Sequence, residues 1–310
     1  MSKAAAIVHR LPLDGGHVMH VGEYGNPAGR PALVLHGGPG SGSSPLQRAG
    51  LDPARWRILC PDQRGAGLST PRGEIAHNTL AHLLADLRLL RAQLQVPNWL
   101  VVGGSWGATL ALLHAIDQPE AVTGLVLRNP FLAREEDIAR FFAAAIDTGV
   151  PGWADLTQQA ASAQQSLPAL LADLFAHGPM EAQRAAAACW WDSEQRLAGA
   201  APTATPIEDE LQRLVDRYRI QSHYLKDGCW LAPTPLLQRC ERLPPVPVEI
   251  VQGMQDRICP PEGARALAQA IGARANLRLV EGAGHDPSQP AMLEAVRQAV
   301  QACGAAGLQR

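Results

Sequence analysis

The sequence predicts an α/β fold: a mostly parallel sheet with helices on both faces and a helical cap inserted between its strands. Three observations predict it. Trp99–Ile116 (WLVVGGSWGATLALLHAI) runs from an apolar strand through a glycine-flanked turn directly into a helix. Short apolar runs alternate with helical segments at both ends of the chain, the pattern of βα units on a parallel sheet. Between about Phe131 and about Thr234 the strand pattern all but disappears. Residues 1–130 and 235–310 are therefore expected to build one domain, and 131–234 to cover it as a cap.

Taken in order, Val18–Tyr24 alternates enough to be an edge strand or hairpin arm, turned by Gly25-Asn26-Pro27. Ala32–Leu35 is a short apolar strand that runs into His36-Gly37-Gly38-Pro39-Gly40. Arg57–Cys60 is another, followed by the polar loop Pro61–Ser69, in which Asp62 and Arg64 could pair across the turn. Asn78 or Thr79 can cap a helix carrying Leu83, Leu84, Leu87, Leu90 and Leu94 at helical spacing. That helix returns the chain to Leu100–Val102, a βαβ unit that implies parallel pairing. Ala108–Ile116 is helical until Pro119, and Gly124–Arg128 is the next strand. The middle reads as four or five helices, punctuated by Gly149-Val150-Pro151, Gly178-Pro179 and Ala201–Pro206. Strands return at Val248–Gln252 and Leu277–Val280, each followed by a helix, around Pro261–Ile271 and Pro290–Cys303.

The composition excludes several classes. A chain of 310 residues holds one large α/β domain with an insertion. A formal net charge of −2 gives no electrostatic reason to expect nucleic acid or an anionic membrane as partner. No stretch approaches the ~18 consecutive apolar residues of a membrane span. The opening MSKAAAIVHR lacks the apolar core of a secretory signal, so the expected address is the cytosol. Six scattered cysteines form no C-x-x-C pair, and the ten histidines show no ligand spacing. Reduced thiols and no metal are therefore expected. Oligomeric state is not encoded in any pattern here.

The chemistry centres on Gly103-Gly104-Ser105-Trp106-Gly107. A strand-to-helix turn this tight leaves no room for a Cβ two residues before or after the serine, and both positions are Gly. The hydroxyl then stands at the carboxyl end of the sheet and the N-terminus of a helix, where a nucleophile belongs. The Gly-rich loop after Ala32–Leu35 brings backbone amides close to a bound group. With the amide of Trp106, an amide of this loop could stabilise an oxyanion. A plain tight turn is the alternative; a phosphate loop is disfavoured because no G-K-[ST] follows. Asp256 and His285 each follow a strand on the same sheet edge, in the chain order Ser, Asp, His. Singly, Asp256 would serve as a turn cap and His285 as a surface residue, and Asp286 competes for the role of the acid.

His36–Gly40 as HGGPG, Asp62–Gly65 as DQRG, Gly103–Gly107 as GGSWG and Gly282–His285 as GAGH together resemble the proline iminopeptidase (prolyl aminopeptidase) family. The approach G-N-P-x-G-x-P, Gln118-Pro119-Glu120 and Leu125–Arg128 also resemble it. The resemblance implies an α/β-hydrolase fold with a helical cap and a cofactor-free serine peptidase that removes an N-terminal proline from a small peptide or amide. It carries the nucleophile onto Ser105, the acid onto Asp256, the base onto His285, and the oxyanion donors onto Gly38 and Trp106. The free amine of such a substrate is a cation, costly to bury without a counter-charge, so the cap should supply carboxylates. The family's W-E pair looks like Trp191-Asp192 here. Its I-E-x-H-Y segment looks like Ile220-Gln221-Ser222-His223-Tyr224, with uncharged Gln221 at the acidic position. Gly37, Asp192, Gln221, Trp191 and Tyr224 are thus the expected substrate-binding residues. Glu194, Glu208, Asp209 or Glu210 could compensate for Gln221, and Phe141, Phe142, Trp190 and Trp191 could shape a slot for the pyrrolidine ring. The alternatives are a hydrolase of the same fold acting on another small amide or ester, and a receptor that binds without turnover.

Overall fold

A computed structural model of the chain describes residues 7–199 and 207–306. The expected break at Ala201–Pro206 lies outside the described residues. The strands are β1 (Ile7–Pro12), β2 (Val18–Gly25), β3 (Arg30–Leu35), β4 (Trp56–Pro61), β5 (Trp99–Gly104), β6 (Val122–Arg128), β7 (Val248–Gly253) and β8 (Ala275–Val280). They form one eight-stranded sheet in the order β1-β2-β4-β3-β5-β6-β7-β8. Pairing is antiparallel at β1–β2 and β2–β4 and parallel from β4 to β8. The α/β class read from the sequence is the class observed. β1 is an addition: only Leu11 of its six residues is buried, so it leaves no alternating signature. It pairs with β2, which is therefore an arm of a hairpin and not the edge.

The helices are α1 (Leu80–Gln93), α2 (Trp106–Asp117), α3 (Glu135–Ile146), α4 (Trp153–Ser162), α5 (Leu167–His177), α6 (Met180–Ala198), α7 (Glu208–Lys226), the short α8 (Leu236–Arg239), α9 (Pro261–Ile271) and α10 (Pro290–Ala306). The central strands are buried on both faces, as a parallel sheet demands. Leu33, Leu35, Trp99 and Val101 face α1, α2 and α9, whereas Ala32, Val34, Leu100 and Val102 pack with Met292, Val296 and Val300 of α10.

Between β6 and β7 the described residues contain helices and turns and no strand. α3 to α7 share an aromatic centre: Trp190 stacks on Tyr218 at 4.6 Å and meets Phe142 at 5.3 Å. Trp153 closes it by donating its indole N–H to Ser193 Oγ at 2.7 Å. Such ring pairs add about 0.5–1.5 kcal/mol each beyond the area they bury. α7 lies on the Gly-rich loops of the sheet edge. A Cβ on Gly40, whose φ is 91°, would come within 2.7 Å of the Arg217 carbonyl.

Candidate active site

Ser105 occupies the corner between β5 and α2 with φ 55° and ψ −123°, a conformation costing on the order of 1–3 kcal/mol for a residue with a Cβ. The corner is held by Ser105 N–H donating to the Arg128 carbonyl at 2.9 Å. Its tightness explains the flanking glycines. A Cβ on Gly103 would collide with the Gly107 carbonyl, and one on Gly107 with the Leu35 carbonyl. Ser105 Oγ lies 3.8 Å from the Sγ of buried Cys259, whose thiol is pushed well above its ordinary pKa by burial.

His285 Nδ1 lies 2.7 Å from Asp256 Oδ2. The other oxygen, Oδ1, accepts from the amides of Ile258 and Cys259 at 2.8 Å each, so the carboxylate is fully buried yet satisfied. With Nδ1–H donating to Asp256, the lone pair of His285 rests on Nε2. Asn129 ties the two loops together: it donates to the Gly284 carbonyl at 3.0 Å and accepts from Gly253 N–H at 2.9 Å. Arg128 adds a bond from Nη1 to the His285 carbonyl at 2.7 Å.

The Gly37–Gly40 loop is held by residues that the motif reading left without a role. His36 is fully buried, and burial keeps its pKa below the ordinary value, so the ring is neutral. Its Nε2 accepts from Gln63 N–H at 2.9 Å, which leaves Nδ1 to donate to the Gly37 carbonyl at 2.8 Å. Gln63 also donates to the His36 carbonyl and accepts from the Trp106 indole, both at 2.9 Å. Trp106 itself is fully buried, so only its backbone at the start of α2 is near the site. The loop after β4 is organised differently from the expected Asp62–Arg64 pair. Arg64 makes a bidentate pair with Asp86 at 2.7 Å and a further pair with Asp14. Asp62 instead accepts from the amides of Ser43 and Leu68 and lies 3.2 Å from His20. Carboxylate and guanidinium leave the turn in different directions, each toward donors or acceptors on other elements.

A cavity of about 210 Å³ opens between the sheet edge and the helices above it. Gly37, Gly38, Ser105 and His285 line it on the sheet side; Phe131, Ile138, Phe141 and Leu225 make it apolar; Glu194, Arg217 and Gln221 supply polar groups from α6 and α7. The structure thus brings Ser105, His285, Gly37, Gly38 and Gln221 to one space. It does not bring Asp192, Trp191 or Tyr224 there. Asp192 is 40% exposed and pairs with Arg196 at 3.0 Å, because two residues along a helix turn a side chain to nearly the opposite face. Glu194 takes the place in the cavity instead. Trp191 is half-buried outside it, with the Arg217 guanidinium 5.6 Å over its ring. Tyr224 is fully buried, edge-on to Trp106 at 5.2 Å and donating to Asn78 Oδ1 at 3.0 Å; it joins α7 to α2 and to the loop before α1. Trp190 and Phe142 belong to the aromatic centre, so only Phe141 of the expected slot reaches the cavity. Glu208, Asp209 and Glu210 are exposed on the first turn of α7, Glu208 pairing with Arg184 at 2.6 Å. Asp286 accepts from Ser288 N–H and Oγ–H in a local turn.

Glu194 is the most heavily bonded side chain of the site. Oε1 accepts from Trp190 Nε1 at 3.1 Å and Gln221 Nε2 at 3.3 Å, and Oε2 from Arg217 Nη2 at 2.6 Å and Tyr218 O–H at 3.1 Å. Helical spacing carried this signal: Trp190 and Glu194, like Arg217 and Gln221, stand four apart on one face.

A family model described as alpha/beta hydrolase fold matches residues 31–288. A probable proline iminopeptidase of Leptolyngbya boryana is 34% identical over 92% of this chain and 90% of its own length. The proline iminopeptidase of Neisseria meningitidis serogroup A is 36% identical over 92% of each. The crystal structure of the proline iminopeptidase of Mycobacterium smegmatis superposes with a TM-score of 0.62 at 19% identity, over 98% of this chain and 99% of that one. The chain therefore belongs to the alpha/beta hydrolase fold family and, within it, to the proline iminopeptidase family. It is a hydrolase.

Proposed function

We propose that the protein is a serine aminopeptidase that releases an N-terminal proline through an acyl-enzyme, under the cap formed by the helices between β6 and β7. The observation that carries this reading is the 2.7 Å His285–Asp256 pair opening onto the same cavity as Ser105. His285 Nε2 takes the proton of Ser105 as Oγ forms its bond to the prolyl carbonyl carbon. The resulting oxyanion rests on the amides of Gly38 and Trp106, each such donor lowering the barrier by on the order of 3 kcal/mol. Collapse breaks the C–N bond as His285 returns the proton to the leaving amine. Water then attacks the ester with His285 again as base, freeing proline and Ser105. Asp256 stays ionised and fixes the imidazole tautomer. The relatives named proline iminopeptidase support the substrate class. Free, buried cysteines agree with a cytosolic setting, and no described helix is long and apolar enough to cross a membrane.

A second reading, hydrolysis of another small amide or ester, is favoured by one observation: Glu194 is already paired with Arg217. Release of chromophore from a prolyl anilide, an acetylated prolyl anilide and a short acyl ester separates the two. Turnover of the free prolyl compound supports the aminopeptidase; turnover of the ester alone supports the second reading. Ser105→Ala should fold normally, lose labelling by a fluorophosphonate and lose turnover of every substrate. Near-normal turnover in that variant would end the mechanism.

A further inference from the structure

We infer that Gln63 is a positioning residue for the reaction: its side chain fixes the gap between the two elements that carry the Gly38 and Trp106 amides, and so holds both donors on one oxyanion. This rests on those amides being the oxyanion donors of the proposed function.

The two donors come from separate elements, Gly38 from the loop after β3 and Trp106 from the first turn of α2. The elements touch, since a Cβ on Gly107 would collide with the Leu35 carbonyl and lie 2.9 Å from that of His36. Contact limits how closely they approach, but it does not stop them sliding or parting. Gln63, from a third element, the loop after β4, supplies what contact lacks. Its Nε2 donates to the His36 carbonyl and its Oε1 accepts from the Trp106 indole, both at 2.9 Å. Its backbone N–H donates to His36 Nε2 at 2.9 Å, which places the ring proton on Nδ1, and Nδ1 donates to the Gly37 carbonyl at 2.8 Å. A trans peptide is planar, with its C=O and N–H opposed. Pinning the Gly37 carbonyl to the His36 ring therefore turns the Gly38 N–H away from that ring, and the peptide cannot flip without breaking the bond. The relay needs a neutral imidazole, because a protonated Nε2 would meet the Gln63 N–H donor to donor. Burial supplies it by holding the His36 pKa below its ordinary value. Gln63, His36 and Trp106 are all buried, so water does not replace a bond that is lost. An amide suits the position because it donates from one end atom and accepts at the other; a carboxylate or a thioether of similar length cannot do both. The consequence falls on the transition state. The planar carbonyl of a bound substrate tolerates a small shift of its donors, whereas the developing oxyanion depends on both standing at hydrogen-bond distance.

The test follows the prolyl anilide and a butyrate ester at pH 7, since hydrolysis of either passes through an oxyanion. Gln63→Met should lower kcat for both by about tenfold to a hundredfold, less than outright deletion of a donor, and leave each KM within about threefold. Propylboronic acid, whose boron takes Ser105 Oγ to become a tetrahedral anion, should lose inhibitory strength in parallel with kcat/KM. Prolinamide and butyramide, which keep planar carbonyls, should inhibit as they do in wild type. Trp106→Phe removes only the indole link and should show the same pattern with a smaller loss; it decides by the same criteria if Gln63→Met does not fold. Endpoint labelling of Ser105 by a fluorophosphonate counts the folded sites in each variant. A labelled variant whose kcat stays within about threefold of wild type overturns the inference. So does one that loses boronate and amide affinity alike, because a generally disordered site would do that. If the ester is turned over and the prolyl anilide is not, the aminopeptidase reading fails separately, and the ester with propylboronic acid and butyramide still decides the role of Gln63.

Discussion

His114, in the last turn of α2, is fully buried, and its Nε2 accepts from the Trp99 indole at 3.0 Å. Burial pushes its pKa down from 6.5 to about 4. The native state thus binds the proton less readily than the unfolded chain, and stability from this residue is intact above about pH 6.5. It is lost as pH falls through 6.5 toward 4, because only the unfolded state takes up the proton in that window. Between pH 7.5 and 5 the loss is about 2 kcal/mol. His114→Gln, whose amide oxygen can still accept from Trp99, should show a visibly smaller drop in denaturation midpoint over the same range. An equal drop in both proteins would assign the acid sensitivity elsewhere, His36 being the next candidate since burial lowers its pKa too. A histidine on a uniformly apolar helix carries no such label in the sequence; its environment sets its proton affinity.

At the scale of the element, the β5–corner–α2 unit was legible before any coordinates, because its constraint is local and steric. Gly103 and Gly107, on either side of Ser105, sit where backbone must pass backbone, and a sequence records that directly as missing side chains. Gly107→Ala should therefore cost roughly 2 kcal/mol or more, as overpacking against an immovable carbonyl does, and lower kcat by displacing Ser105. Chemical denaturation and turnover of the variant check both; an unchanged kcat would show that the corner tolerates the shift. Helix α6 shows the opposite case. Motif matching drew attention to Asp192, whereas the helical turn sends it to solvent with Arg196 and brings Glu194 inward. Glu194, weighed only as a compensating acid, is the carboxylate that lines the cavity. Strand β1 escaped notice because an edge strand with one buried residue has no period to read.

Over the whole molecule, the helices between β6 and β7 are held to the sheet by α7 lying on the Gly-rich loops. Tyr224 donates to Asn78 Oδ1, and His223 Nε2 donates to the Asn78 carbonyl, both at 3.0 Å. Asn78 is itself buried, with its amide committed to the carbonyls of Arg64 and Glu74. Tyr224→Phe leaves that buried oxygen without its donor and should cost about 1–3 kcal/mol, seen as a lower denaturation midpoint and faster proteolysis within 131–234. Unchanged protease resistance would show that these helices are held chiefly by their apolar contacts.

The sequence by itself determined the α/β class, the order and approximate extent of the central strands, the run of helices between β6 and β7 and the glycine-flanked serine. All of these are recorded in local periodicity and steric necessity, which neighbouring residues carry on their own. Only the tertiary structure decided that Asp256 and His285 meet, that Gln63 binds His36 to Trp106, and that Arg217 pairs with Glu194. Those are contacts between elements far apart in the chain, and helix rotation and packing set them, not spacing within any one segment.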